Sequence, residues 1–260
     1  MALTAEGRLL TDAHRRQQLA LAARAVDESK PIWSRVLTAQ TTWLAVQLSI
    51  IRQFHGESER LAEAYLREYR EAEGVAESFI QAAPFSTPEM MSTMLVAGPY
   101  SVKNFIKGGN DPGSAIGSGF SKASGMIRRQ VLSGGRMLID RTAAGDSNAV
   151  GWRRVTDGDP CTFCAMLASR GPVYRSAEKA ESIAGTGLEY HGHCGCTAEI
   201  VYGEWTPNEL EEKFIDEYAQ AAMSAEREDG RRTQNTVLWR MRKHGTARDS
   251  TSRRTKNSDD

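Results

Sequence analysis

Two short stretches, Asp157-Gly-Asp-Pro-Cys161-Thr-Phe-Cys164 and Tyr190-His191-Gly-His193-Cys194-Gly-Cys196, hold all four cysteines of the chain. The first pair has the two-residue spacing with which a knuckle directs two thiolates at one ion. In the second pair the cysteines lie two positions apart. An extended segment would therefore send both sulfurs from one face and His191 and His193 from the other. On that parity Cys161, Cys164, Cys194 and Cys196 are the first choice of a four-ligand metal set, and His191 in place of one cysteine is the next. One structural zinc would hold together a module too small to depend on its own core. The competing reading of the same residues is thiols without metal, free or paired, including a bridge formed in an oxidising medium.

The chain around the cysteines reads as a small α+β module over 151–203. Gly-Trp-Arg-Arg-Val-Thr (151–156) suits a strand, Pro-Val-Tyr-Arg (172–175) a second, and Thr-Ala-Glu-Ile-Val-Tyr (197–202) a third, with a short helix over 176–184.

Upstream, residues 1–150 read as a helical domain. Leu9, Leu10, Leu19, Leu21 and Val26 punctuate a first helix that meets no proline before Pro31. The segment 32–54 carries Trp33, Trp43 and a dense supply of aliphatic residues, so it reads as a helix with apolar character on more than one side. Its uncovered side is expected to meet another chain, either a second copy or a different protein, unless the neighbouring helices bury it internally. A third helix is expected over 57–82, after a turn at His55-Gly56-Glu57. Thr87-Pro88-Glu89 reads as a helix start, with an interruption at Gly98-Pro99. From 111 to 145 Gly, Ser and Ala accumulate, which permits either close helix contact or a mobile linker.

Downstream, Thr206-Pro207-Asn208-Glu209 reads as a capping box that opens a C-terminal helical segment over 204–245. Residues 246–260 read as a disordered basic tail. From position 240 onward there are seven Lys or Arg against three Asp, and the apolar residues end at Met241 apart from Ala247. The whole chain of 260 residues balances 33 Lys+Arg against 33 Asp+Glu, which argues against strong polyanion binding by the molecule as a whole. A weak DNA contact through the tail stays compatible with that balance. Mean hydropathy is -0.48. No apolar run is long enough to span a bilayer, and the N-terminus lacks the pattern of a secretory signal, so no membrane partner is expected. The fold class that emerges is mainly α: long N-terminal helices, then the cysteine module, a C-terminal helix and the tail.

The order Thr156-Asp157…Cys161-x-x-Cys164…His191-x-x-Cys194-x-Cys196, closing on a strand, resembles the MuF-type minor head protein domain of tailed bacteriophages. That family shows Cys-x-x-Cys followed by His-Pro-x-Cys-Arg-Cys. Here Gly192 stands at the proline and Gly195 at the arginine. The helical region ahead of the module and the polar tail behind it are similar to the versions in phages of actinobacteria. The resemblance implies a protein made in the host bacterial cytoplasm and incorporated into the procapsid and virion. It further implies a role in capsid assembly and head morphogenesis, with the portal, scaffold and major capsid proteins as partners. Related proteins are often labelled capsid maturation proteases, so cleavage of scaffold or capsid protein is the alternative activity.

Neither enzymatic reading acquires a defined site from the sequence. Ser118, Ser121 and Ser124 lie among glycines without the Gly-x-Ser-x-Gly pattern of a nucleophile elbow, and no catalytic residue is assigned. His55-Gly56-Glu57 with Pro160-Cys161-Thr-Phe-Cys164 imitates the two halves of a zinc-dependent deaminase. The halves are far apart in the chain, and this reading leaves Cys194 and Cys196 without a role.

Overall fold

The computed structural model describes residues 4–82, 85–173, 190 and 192–247. Helix α1 (Ala5–Ser29) begins at Thr4, whose hydroxyl oxygen accepts from the Gly7 N–H at 2.9 Å and whose hydroxyl donates to Glu73 at 2.7 Å. The buried positions of α1 step by three or four residues through Thr11, His14, Gln18, Leu21, Ala25 and Ser29. Four of those six are polar, and each polar member has an answer on the next helix. Thr11 and Tyr65 hydroxyls are 2.8 Å apart, and Ser58 donates to Gln18 at 2.7 Å. Gln47 donates to Ser29 at 2.9 Å, and the His14 ring stacks on Tyr65.

The segment expected to be helical from residue 32 instead forms a single 3-10 turn (Trp33–Arg35), and helix α2 (Gln40–Ala72) follows. The expected break at His55-Gly56-Glu57 is absent, because α2 runs through it without interruption. One glycine inside a helix costs only about 1 kcal/mol relative to alanine. Phe54, His55 and Ser58, buried on one face of α2, outweigh it. The helix ends at Ala72, short of the expected 82, because Gly74 takes φ 66° and the Val75 N–H returns to the Arg70 carbonyl.

Helix α3 (Thr87–Leu95) passes through a π-type turn (Val96–Tyr100) into α4 (Ser101–Lys107). The interruption expected at Gly98-Pro99 is real: Gly98 has ψ -107°, and any side chain there would strike the Trp43 ring. The Gly/Ser/Ala-rich segment is helix α5 (Pro112–Gly145), capped by Asp111, and its small residues serve close contact. A Cβ on Gly134 would come within 2.5 Å of the His55 carbonyl, and one on Gly135 within 3.0 Å of the Ser58 carbonyl. α1, α2 and α5 therefore pack as one bundle.

Trp33 and Trp43, with Phe54, Ile51, Met94, Val102, Ile127 and Val131, form the bundle core. Trp43 is fully buried and Trp33 nearly so within this single chain. The expected intermolecular face at these tryptophans is thus closed by the protein's own helices. A second cluster joins the far ends of α2 and α5 to the segments that follow. It contains Leu66, Tyr69, Leu138 and Ile139 together with Trp152, Met166, Ile200 and Phe214.

Strands β1 (Gly151–Val155) and β2 (Thr197–Val201) pair antiparallel, with Trp152 opposite Ile200 and Arg154 opposite Ala198. Pro172 and Val173 are not in a strand, and the rest of 172–175 and the expected helix 176–184 lie outside the described residues. A helix not foreseen, α6 (Thr162–Ala168), follows Cys161. Helix α7 (Glu209–Asp229) has its capping box two residues later than expected. Asn208 accepts from the Glu211 N–H and Glu211 from the Asn208 N–H, each at 3.0 Å. Helix α8 (Gln234–His244) packs on α7. The tail from 248 lies outside the described residues. The molecule is mainly helical with a small α+β cysteine module. No helix among the described residues is long and apolar enough to cross a membrane.

Candidate metal centre

Cys161 caps α6, and its sulfur accepts from the Cys164 N–H at 3.4 Å, so the Cys-x-x-Cys turn curls both side chains inward. On the other side, His193 takes φ 78°, a left-handed conformation that costs a non-glycine residue on the order of 1 kcal/mol. Gly125 on α5 holds it there, since a Cβ at that position would meet the His193 ring at 2.7 Å. After that bend, Cys194 and Cys196 return to the buried side while His193 stays exposed.

The result is a buried group. The Cys164, Cys194 and Cys196 sulfurs all lie within 4.8 Å of one another, close enough to hold a metal ion. Cys164 and Cys194 are 3.5 Å apart, beyond bonding distance, and none of the four cysteines is in a disulfide. Cys161 packs in the same cluster, just outside the triad. His191 lies outside the described residues.

Two arginines complete the surroundings. Arg154, on β1, points Nη1 at the Cys164 sulfur at 3.8 Å. Arg136, on α5, donates through Nη2 to the carbonyls of Cys194 and Cys196 at 2.8 and 2.6 Å. Both guanidiniums lie 3.8 Å from the centre of the Tyr190 ring. Burial works against the charge of Arg154, but Tyr190 and the thiols of Cys164, Cys194 and Cys196 outweigh it and raise its pKa. Hydrogen bonds with Cys164 and Cys196, helped by the two arginines, hold the Cys194 thiol well below its ordinary range. Hydrogen bonds with Cys161, Cys194 and Cys196, together with burial, push Cys164 well above it. Within the triad the thiolate form is therefore favoured at Cys194 and the thiol form at Cys164.

Arg136, Arg154 and Tyr190 were not among the sequence candidates. The available signal was Arg153-Arg154, a basic pair in an otherwise apolar strand. Alternation sends the two side chains to opposite faces. Arg153 goes to Glu199 at 2.6 Å and to Glu211, a buried ionic group, while Arg154 goes to the thiols.

A family model described as "VG15 protein" matches residues 8–226. The chain belongs to the VG15 protein family. VG15 is a phage-associated family, and the chain is accordingly a phage protein. The match covers bundle and cysteine centre alike, from the first turns of α1 into α7. No curated protein and no solved structure matches the chain.

The residues proposed for rival chemistries are placed elsewhere in this VG15 member. Ser118, Ser121 and Ser124 lie within the continuous helix α5, and Ser124 donates to the Phe120 carbonyl at 2.7 Å. Ser133 Oγ is 3.4 Å from His55 Nδ1, but that nitrogen lies 2.9 Å from the Gln130 carbonyl. A carbonyl only accepts, so Nδ1 carries the proton and cannot take one from Ser133. The described metal-holding group contains no histidine or carboxylate, and His55 is committed to α5. The paired halves of a deaminase are therefore not brought together.

Proposed function

We propose that the chain is a MuF-like minor head protein acting in capsid assembly near the portal, with one structural zinc in its cysteine centre. The observation that carries this reading is the buried thiol cluster built from Cys-x-x-Cys and Cys-x-Cys, at the end of a long helical bundle, in a phage family. Zinc suits the donors: thiolate is a ligand it favours, and tetrahedral coordination asks for four. Cys164, Cys194 and Cys196 supply three. Cys161, packed in the same cluster, supplies the fourth, or His191 takes that place. Four thiolates around a divalent ion leave two negative charges, and Arg136 and Arg154 are positioned to balance them. A buried charged centre is retained only when so paired.

Portal, scaffold and major capsid proteins are the partners, and the procapsid and virion the location. The head-protein role is tested by co-expression with those partners. The chain is expected to co-sediment with portal-bearing particles, with scaffold and capsid protein left at full length. Shortening of either protein that depends on a single Ser, His or Asp of this chain would replace the structural role by maturation proteolysis. In parallel, purified protein is expected to carry about one equivalent of zinc per chain, lost in Cys164→Ser. Metal-free protein with four titratable thiols would remove the zinc from the reading without touching the assembly role.

A further inference from the structure

Helix α8 presents two unlike faces. Val237, Leu238, Arg240 and Met241 are buried. Asn235, Trp239, Arg242 and Lys243, related by helical spacing, are exposed along the other side. Trp239 is 53% exposed, whereas Trp33, Trp43 and Trp152 are buried and Trp205 is partly buried. The Lys243 ammonium lies 5.1 Å over the centre of the Trp239 ring. Trp239 also borders a shallow open depression with Asp229, Arg231, Asn235 and Thr236.

Basic residues outnumber acids around this tryptophan, with Asp229 sharing its depression. Residues 231–247 include five Lys or Arg and no Asp or Glu. The acids that end α7 are turned to other tasks. Glu228 and Asp229 pair with the buried Arg240 at 2.8 and 3.0 Å, and Glu226 lies near Arg232. The net charge of the whole chain is zero, so this basic strip is a local feature and not an expression of overall composition.

We infer that the exposed face of α8 is a docking surface for duplex DNA, gripped along its phosphate backbone. Arg231, Arg242 and Lys243 make the phosphate contacts, and Trp239 packs its ring against the sugar–phosphate wall. Phosphate contacts from Arg and Lys supply most sequence-independent affinity and require no base readout. A protein partner fits this face less well, since interface cores are depleted in charge, and the neighbours of Trp239 along the stripe are Asn, Arg and Lys. A membrane surface fits less well again, because the apolar side of α8 is spent inside the molecule. The site differs from a contact made by the tail alone, and it stands apart from the head-protein reading.

The test is fluorescence anisotropy of a labelled duplex of about 24 base pairs, titrated with the full-length chain between about 50 and 200 mM salt. Binding is expected to weaken as salt rises. The triple variant Arg231→Gln, Arg242→Gln, Lys243→Gln should bind at least tenfold more weakly at the lowest salt, with its salt slope reduced by about 2–3. Trp239→Ala should lose several-fold in affinity and Trp239→Phe little. A chain ending at Ala247 should retain the sensitivity to the triple substitution. Circular dichroism melts check that each variant is folded. The proposal is overturned by no duplex binding at the lowest salt. It is overturned equally if the truncation abolishes binding while the triple variant binds normally, or if Trp239→Ala affects only capture by vesicles or by a phage head protein.

Discussion

Trp43, near the start of α2, and Tyr69, near its end, sit in interiors of different construction. Around Trp43 the contacts are apolar: Trp33 edge-on at 5.8 Å, with Ile51, Phe54 and Met94 filling the remaining volume. Around Tyr69 the helix meets a region threaded with charge. Arg70 pairs with Asp146 at 2.9 Å, Arg153 joins Glu199 and Glu211, and Arg136 and Arg154 flank the thiols. The first interior gains by area, so its losses come in increments. The second depends on complete sets, because a buried charge without its partner costs more than the pair contributes. The strand pair is short, and there ion pairs and the thiol cluster are added to the apolar packing on which the bundle core relies.

Removal of the proposed zinc should break this contrast open most widely. A strong chelator is expected to expose the amides of α6 and of 192–201 to hydrogen exchange while those of α1 and the first half of α2 stay protected. If α1 loses protection at the same rate, the two interiors form one cooperative unit and the contrast fails. Next in size is Trp43→Ala, which should cost about 3–5 kcal/mol in urea unfolding and leave the metal content unchanged. A change in zinc stoichiometry in that variant would show that bundle packing shapes the thiol centre.

The smallest effect concerns acid. His14 is buried, and burial, aided by Arg136, lowers its pKa from 6.5 to about 3. Between those values the unfolded chain binds a proton that the folded one excludes, so stability falls as pH drops from about 6.5 towards 3. His14→Phe, which keeps a ring on Tyr65, should flatten that part of the curve when metal-loaded and metal-free proteins are each compared with their parent. An unchanged slope would assign the acid sensitivity to other groups, the thiol centre and the paired carboxylates of Asp146 and Glu228 among them.

The helical class, the cysteine centre and the strands at 151 and 197 were legible because each carries a local mark: apolar density, spacing or alternation. The α1–α2 interface was not legible in the same way. Its period is written in Thr11, His14, Gln18 and Ser29, and a reading tuned to apolar residues picked Leu9, which is 69% exposed. The continuity of α2 across Gly56 was hidden because its support comes from α5, more than 70 residues further along the chain. Cys161 and Cys164 announced themselves, whereas Arg136 and Arg154 look like ordinary surface arginines until the fold turns them inward.

The lengths of α2 and α5 carry a consequence for how such a chain can change through descent. They comprise 33 and 34 residues and are each about 50 Å long at 1.5 Å per residue. Each supplies side chains to both apolar clusters: Phe54 and Ile127 to one, Leu66 and Ile139 to the other. The two clusters are therefore locked in rotational phase. One residue inserted between Phe54 and Ala62 would turn everything beyond it by about 100° and point Leu66 and Tyr69 away from β2. An insertion of about seven would nearly restore the phase while lengthening the rod by about 10 Å. Length in this part of the molecule should drift in whole heptads, matched between the two helices, while the largely exposed stretch at 206–208 accepts single residues more readily.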